Sequence, residues 1–314
     1  MSFILLGVMV MGVSQLREQW HRMRLALLSR RSAKRLQEQA SRQWFLLVSK
    51  RDEGDVSVPQ LQSMRQLMPP KDRFWADPFI WCQDGRRHVF FEEYPYDLGV
   101  GRISVMELNE EGCPIGPPLV VFTKPHHLSY PYLFLFEGDL YLVPEQKAAR
   151  RVDIYRCVSY PTEFRLVTTL FEGVRMVDTT IFEHEGRWWL FCAMKGKSLR
   201  YDQSLCAFYS EHPLNGPWTP HPLNPLVNDI RSGRPAGRVF RDKEGRLMRP
   251  SQDCWPHYGA GLNLFVIEEL TIHSYREKRL WTLSGQDSGG LRGLHHMDIG
   301  GGLLVMDAER DLSD

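Results

Sequence analysis

The amino-acid sequence predicts an all-β fold, a five-bladed β-propeller of four-stranded blades preceded by an N-terminal α-helix. The first observation is a repeated phrase: a leading residue, an apolar strand, a short turn and a second strand rich in aromatics. It reads Trp75-Ala76-Asp77-Pro78-Phe79-Ile80 into His88-Val89-Phe90-Phe91-Glu92-Glu93, and again Val177-Asp178-Thr179-Thr180-Ile181-Phe182 into Arg187-Trp188-Trp189-Leu190-Phe191. Three further copies keep the strands and change the leader to Tyr130, Arg234 and the pair His295-His296. The second observation is spacing, since the leaders fall at 77, 130, 178, 234 and 295, a loose period of about fifty residues that suits propeller blades. The third is that two more strands follow the hairpin in each of the first four copies. A β-sandwich is the runner-up, but it leaves the recurrence of the unit unexplained.

Taken in order, Phe3 to Val13 is an apolar run of eleven residues, too short to span a bilayer and without the flanks of a secretory signal. Ser14 to Gln43 lacks Pro and Gly and carries Leu16, Trp20, Met23, Leu27 and Leu28 at helical spacing, with Arg17, Arg22, Arg24, Arg30, Arg31, Lys34 and Arg35 among polar residues, a basic amphipathic helix. Residues 1–43 therefore form one segment, which either packs as a solvated helix or makes a peripheral membrane or partner contact. Residues 44–314 form the propeller. Within it Trp44 to Val48 is a strand placed to complete the last blade beside Leu303 to Asp307, which would remove the open edges of the ring. Residues 51 to 73 read as a linker.

The later strands of each blade follow the same logic. Blade one continues with Gly101 to Leu108 and Leu119 to Phe122, and blade two with Val152 to Cys157 and Phe164 to Val167. Blade three has Ser204 to Tyr209 and then Asn215-Gly216-Pro217-Trp218, and blade four Gly261 to Ile267 and a strand near Thr271.

The chain has 39 basic and 38 acidic residues, so its net charge of +1 gives no overall field for nucleic acid. Its six cysteines are scattered without a C-x-x-C pair and read as reduced, mostly buried small hydrophobes, weakly favouring a reducing compartment. Gly99-Val100-Gly101 lacks the third glycine and the helix of a dinucleotide loop, and there is no P-loop. Adjacent histidines on a strand point to opposite faces, so neither His126-His127 nor His295-His296 makes a chelate by itself. No cofactor and no metal are expected.

The first strand of a propeller blade lines the axis, so Asp77, Tyr130, Asp178, Arg234 and a blade-five histidine converge on one funnel. Two carboxylates held apart there suit glycoside chemistry, one as base or nucleophile and another carboxyl as proton donor. Asp77 and Asp178 also suit a plain role as turn residues. Arg234 and Arg249 either pair internally with carboxylates or clamp a phosphate or carboxylate on a sugar.

These motifs carry a resemblance. The Trp75 to Phe79 and Val177 to Phe182 phrases resemble the blade-one and blade-three signatures of the furanosidase propellers of glycoside hydrolase families 43, 32 and 68. The ordered set Phe91-Glu92-Glu93-Tyr94, His127-Leu128-Ser129-Tyr130-Pro131, Val143-Pro144-Glu145, Gly216-Pro217-Trp218, Arg234-Pro235-Ala236-Gly237 and Arg249-Pro250-Ser251-Gln252 is similar to the N-terminal domain of glucosamine inositolphosphorylceramide transferases. The hydrolase resemblance implies Asp77 as general base and Asp178 as the residue that tunes the acid. It also implies a glutamate opening blade four, where this chain has Arg234.

The expected catalytic set is Asp77, Asp178 and Glu145, with Trp75, Glu93, Tyr130, Arg234, Arg249, Gln252 and His296 as substrate-binding residues. The expected function is processing or binding of a glycan or nucleotide-sugar-derived substrate in surface-glycan or glycolipid assembly. It leans toward an enzyme that is glycosidase-like or associated with glycosyl transfer. The alternative is a noncatalytic glycan-binding or scaffolding module for a glycosyltransferase or formyltransferase. The family context implies a cytoplasmic location, and membrane association through residues 1–43 is one of the two readings of that segment.

Overall fold

The computed structural model describes residues 41–196, 199–286 and 290–312. Residues Trp44–Arg310 form one compact unit. The apolar run and the body of the expected helix lie outside the described residues. The last two residues assigned to that helix, Arg42 and Gln43, belong instead to a strand.

The chain enters with β1 (Arg42–Lys50) and β2 (Arg65–Leu67), both of which belong to the last blade. Blade one is β3 (Arg73–Gln83), β4 (Arg86–Pro95), β5 (Arg102–Leu108) and β6 (Leu119–Phe122). Blade two is β7 (Ser129–Phe136), β8 (Asp139–Glu145), β9 (Val152–Ser159) and β10 (Glu163–Leu170). Blade three is β11 (Met176–His184), β12 (Arg187–Met194), β13 (Ser204–Ser210) and β14 (Thr219–Pro220), with β15 (Val227–Asn228) on the far end of β13. Blade four is β16 (Phe240–Arg241), β17 (Leu247–Asp253), β18 (Gly261–Leu270) and β19 (Tyr275–Ser284). Blade five is β20 (Met297–Gly300), β21 (Leu303–Asp311), β1 and β2. The N-terminal strand thus closes the ring as the sequence predicts. The supposed linker supplies the missing outer strand, because Arg65 to Leu67 pairs with Leu46 to Val48.

Three other boundaries differ. Blade three ends on Thr219–Pro220 rather than Asn215 to Trp218: Gly216 is pressed against the Ser210–His212 turn, where a Cβ would lie 2.0 Å from Ser210 Oγ, and Pro217 has no N–H for a ladder. The strand expected near Thr271 begins at Tyr275, because Thr271 to Ser274 is a turn closed by the Thr271 N–H donating to Ser274 O at 3.0 Å. The inner segment of blade four is mostly irregular, joined to β17 by a single bridge, Pro235 to Ser251, ahead of β16.

Most second strands are buried on both faces, which is why β4, β8, β12 and β21 read as apolar runs rather than alternations. In β4, Phe91 packs with Leu46, Val48, Leu303 and Val305 of blade five, while its neighbour Phe90 joins Tyr132, Leu142 and Val143 of blade two. The other blade junctions fill in the same way, with Phe182, Trp189 and Phe191 against Leu247 and Ile267, and Leu304 and Met306 against Leu262 and Leu283. The inner hairpins of blades one to three turn on Asp84-Gly85, Glu137-Gly138 and Glu185-Gly186, both residues at positive φ in each case, the geometry that matches the twist of paired strands. All six cysteines are free. Cys192, Cys206 and Cys254 are buried as expected, whereas Cys82 is exposed and Cys113 and Cys157 are half-buried at strand ends and turns.

Candidate active site

The inner strands of blades one, two and three share a device that positions the site. Each has a bulge, between Ala76 and Phe79, Ser129 and Tyr132, and Val177 and Thr180. At each bulge the leading residue is left-handed, with φ of 51° at Asp77, 45° at Tyr130 and 54° at Asp178. Such backbone is strained for side chains other than glycine and is held only by its surroundings. It also turns the N–H out of the ladder, so that each needs an acceptor.

Carboxylates supply all three. Asp307 Oδ2 accepts the Asp77 N–H at 2.9 Å, Asp77 Oδ2 accepts the Tyr130 N–H at 3.1 Å, and Glu145 Oε2 accepts the Asp178 N–H at 3.2 Å. Asp307 and Glu145 occupy equivalent places on the second strands of blades five and two, each serving the next blade. Glu92 has the same place on blade one, opposite Ala76. Asp77 has taken its task, and Glu92 Oε1 is buried with no hydrogen bond, 3.3 Å from His127 Nε2.

Arg234 and His295 also reach this cluster, although they are out of phase with the bulge residues. Pro235 opposes Ser251 as Ala76 opposes Glu92, so Arg234 stands two residues ahead of the position equivalent to Asp77. From there its guanidinium donates through Nε to Asp178 Oδ2 at 2.6 Å and through Nη2 to Oδ1 at 3.3 Å, and it lies over the Tyr258 ring. His295 lies with Nδ1 2.7 Å from Asp307 Oδ2 and Nε2 3.5 Å from Asp77 Oδ1. The nitrogen and oxygen atoms of Asp77, His295 and Asp307 lie within 4.8 Å of one another, a grouping compact enough for a cation. The contacts on both ring nitrogens make it an ion-pair chain instead.

The electrostatics follow from crowding carboxyls in a buried site. Burial, then Asp307 and Asp178, push Asp77 up to about 7 against the pull of His295 and Arg234. Burial and Asp178 push Glu145 up to about 8, and burial with Asp77 and Glu145 holds Glu92 well above the usual carboxylate range. Burial alone would discharge His295, but Asp307 and Asp77 outweigh it and raise the ring to about 9. Its neighbour His296 goes the other way, to about 3, because burial dominates and His295 repels a second charge.

The remaining expected residues are placed elsewhere or used differently. Tyr130 is fully buried, its hydroxyl bonded across the axis to Gly237 and 3.1 Å from Thr180 Oγ1. His296 is a neutral filler, its ring against Phe79 and Tyr130 and both nitrogens without a hydrogen bond. Trp75 packs on Phe91 in the core between blades five and one. Three polar groups have partners within the fold. Glu93 is taken by Arg73, Arg102 and the Ser104 hydroxyl at 2.6 to 2.9 Å. Arg249 is bidentate with Glu277, both bonds 2.7 Å, so its charge is spent inside blade four. Gln252 donates to Pro235 O at 3.0 Å and so braces the Arg234 segment. The sequence reading missed Asp307, whose one signal is an acidic residue closing the apolar run Leu303 to Met306.

Comparison with known proteins then places the chain. Residues 60–298 match the family model described as glucosamine inositolphosphorylceramide transferase 1, N-terminal. The chain belongs to this family. Among curated relatives, glucosamine inositolphosphorylceramide transferase 1 of Oryza sativa subsp. japonica is 31% identical over 250 residues, covering 76% of this chain and 33% of the relative. The Arabidopsis thaliana protein of the same name is 32% identical over 235 residues, covering 72% and 30%. This family member therefore spans about a third of the length of those relatives. Solved structures share its fold. The catalytic domain of a Coprinopsis cinerea α-L-arabinofuranosidase has a TM-score of 0.55 at 12% identity, covering 87% of this chain and 98% of that one. An exo-β-1,3-galactanase from Clostridium thermocellum has a TM-score of 0.53 at 10% identity, covering 70% and 50%.

Proposed function

We propose that the funnel takes the terminal sugar of a glycan or glycolipid headgroup and acts on it by acid–base chemistry. Asp77 is the base, Glu145 the proton donor, and the Arg234–Asp178 pair an anchor for sugar hydroxyls or an anionic substituent. The observation that carries this reading is a cluster of buried carboxyls set at the bulges of neighbouring blades, in which Asp77 and Glu145 each hold a bulge N–H through one oxygen and burial raises both above the usual carboxylate range. The glycolipid class is supported by the names of the relatives, which the chain matches over only a third of their length. In this reading the domain works in the cytoplasm beside a glycosyltransferase or formyltransferase partner, with residues 1–43 as its contact to the membrane surface.

The test is incubation of the full chain with inositol-phosphoryl glycolipids and with free oligosaccharides, followed by mass spectrometry of the products. The expected result is a changed glycan that Asp77→Asn and Glu145→Gln no longer produce. A folded Asp77→Asn protein that matches wild type would overturn the assignment.

One observation favours a second reading, a noncatalytic glycan-binding module. Arg234 stands where the hydrolase resemblance implies a glutamate, and it neutralises Asp178 with two hydrogen bonds. Saturable binding of a glycan without any turnover would select that reading.

A further inference from the structure

The two oxygens of Asp77 are not equivalent. Oδ2 is committed to the Tyr130 N–H, whereas Oδ1 faces His295 Nε2 at 3.5 Å and His296 Nδ1 at 3.7 Å. His296 is neutral, so among the described residues the positive charge directly facing Oδ1 is that on His295. That ring is held in place, with Trp44 at 4.2 Å between ring centroids on one side and Tyr258 at 5.3 Å on another. Gly259 makes this possible, because a Cβ there would lie 2.9 Å from the Trp44 ring and 3.2 Å from His295 Cβ.

Behind the ring stands Asp307, an anion solvated by the protein itself. Its Oδ1 accepts the N–H groups of His295 at 3.0 Å and His296 at 2.9 Å, and its Oδ2 accepts that of Asp77. Together with His295 these bonds hold it below the usual carboxylate range despite complete burial.

We propose that Asp307 is a positioning residue which holds His295 as an imidazolium aimed at Asp77 Oδ1, and so makes that single oxygen the basic atom of the funnel. This rests on the reading of the funnel as an acid–base site. The remaining charges act more weakly on the pair. Arg234 opposes the charge on His295 and favours that on Asp77, while Asp178, Glu92 and Glu145 oppose ionisation of Asp77 or compete with it. Without the imidazolium, Asp77 would keep its proton through neutral pH and have no basic oxygen to offer.

The experiment is an NMR titration of the full chain carrying 15N-labelled histidine, with His295→Gln identifying which of the 11 histidine signals belongs to this ring. In the wild type both ring nitrogens of His295 should show the imidazolium signature at about pH 7.5 and titrate at about 9. In Asp307→Asn, which loses the charge and keeps a single oxygen, enough for the His295 and His296 N–H groups but not for that of Asp77, the titration should fall to or below the ordinary imidazole value of about 6.5. A wild-type His295 that is neutral at that pH overturns the proposal, and so does an Asp307→Asn protein that titrates like wild type. If Asp307→Asn does not fold, the wild-type titration decides alone. The readout needs no substrate: an imidazolium in a chain whose Asp77→Asn variant still processes glycan would refute the acid–base reading and leave the Asp307–His295 assignment standing.

Discussion

The carboxylate of Asp77 accepts the backbone N–H of Tyr130 at 3.1 Å, so the residue that leads blade one holds the residue that leads blade two. Asp77 is therefore structural through one oxygen and available for chemistry through the other, and substitutions should separate the two roles. Asp77→Asn retains an acceptor for Tyr130 and should fold with stability within about 1 kcal/mol of wild type while losing glycan processing. Asp77→Ala leaves that N–H buried and unpaired, which should cost about 1–3 kcal/mol in urea unfolding. Equal stability of the two variants would contradict the bond.

Glu145 links the site to pH. Its folded value is raised to about 8 from an ordinary 4.5, so between those values the unfolded chain has released a proton that the folded chain keeps. Its contribution to stability is fully present below 4.5 and is lost as pH rises through about 8, at up to about 1.4 kcal/mol per pH unit. Wild type should be less stable to urea at pH 8 than at pH 5, and Glu145→Gln should narrow that gap. An unchanged gap in the variant would rule out Glu145 as a buried acid.

Asp178 is buried and Arg234 is partly so, and removing the arginine strands the buried carboxylate. Arg234→Met should destabilise by about 3–5 kcal/mol. Adding Asp178→Asn should recover much of that loss, and a double-mutant cycle with no coupling energy would show that the two do not interact.

Gly237 lies at φ 137°, and a Cβ there would lie 1.9 Å from Met297 O. Gly237→Ala must push blade four from blade five and disturb the Tyr130 hydroxyl. It should lower the midpoint of thermal unfolding more than Gly245→Ala, whose Cβ meets nothing within 4 Å although its φ is also positive. Similar midpoints for the two would contradict the close approach.

Much of this was legible in the sequence, for identifiable reasons. Middle strands buried on both faces write themselves as apolar runs, and the hairpin turns as Asp-Gly and Glu-Gly, so the blades could be counted. The bulge residues Asp77, Tyr130 and Asp178 share a phase because they share a backbone conformation. Arg234 and His295 share the destination but not the phase, since their segments lack the bulge and approach the axis from two residues earlier. Asp307 was hidden because its main task, accepting the Asp77 N–H, joins residues 230 apart and exists only once the ring is closed. Glu93 and Arg249 look like site residues in one dimension because nothing local announces that Arg73, Arg102 and Glu277 will claim them.

The Tyr130 hydroxyl crosses from blade two to Gly237 of blade four, and the Arg238 guanidinium, pinned to Asp298, lies over Phe79, Trp81 and Tyr132. These side chains give the funnel a floor. On the proposed function, a glycan could not be threaded past this floor and would present only its tip to Asp77, so that a departing product and the next arrival would contend for one doorway.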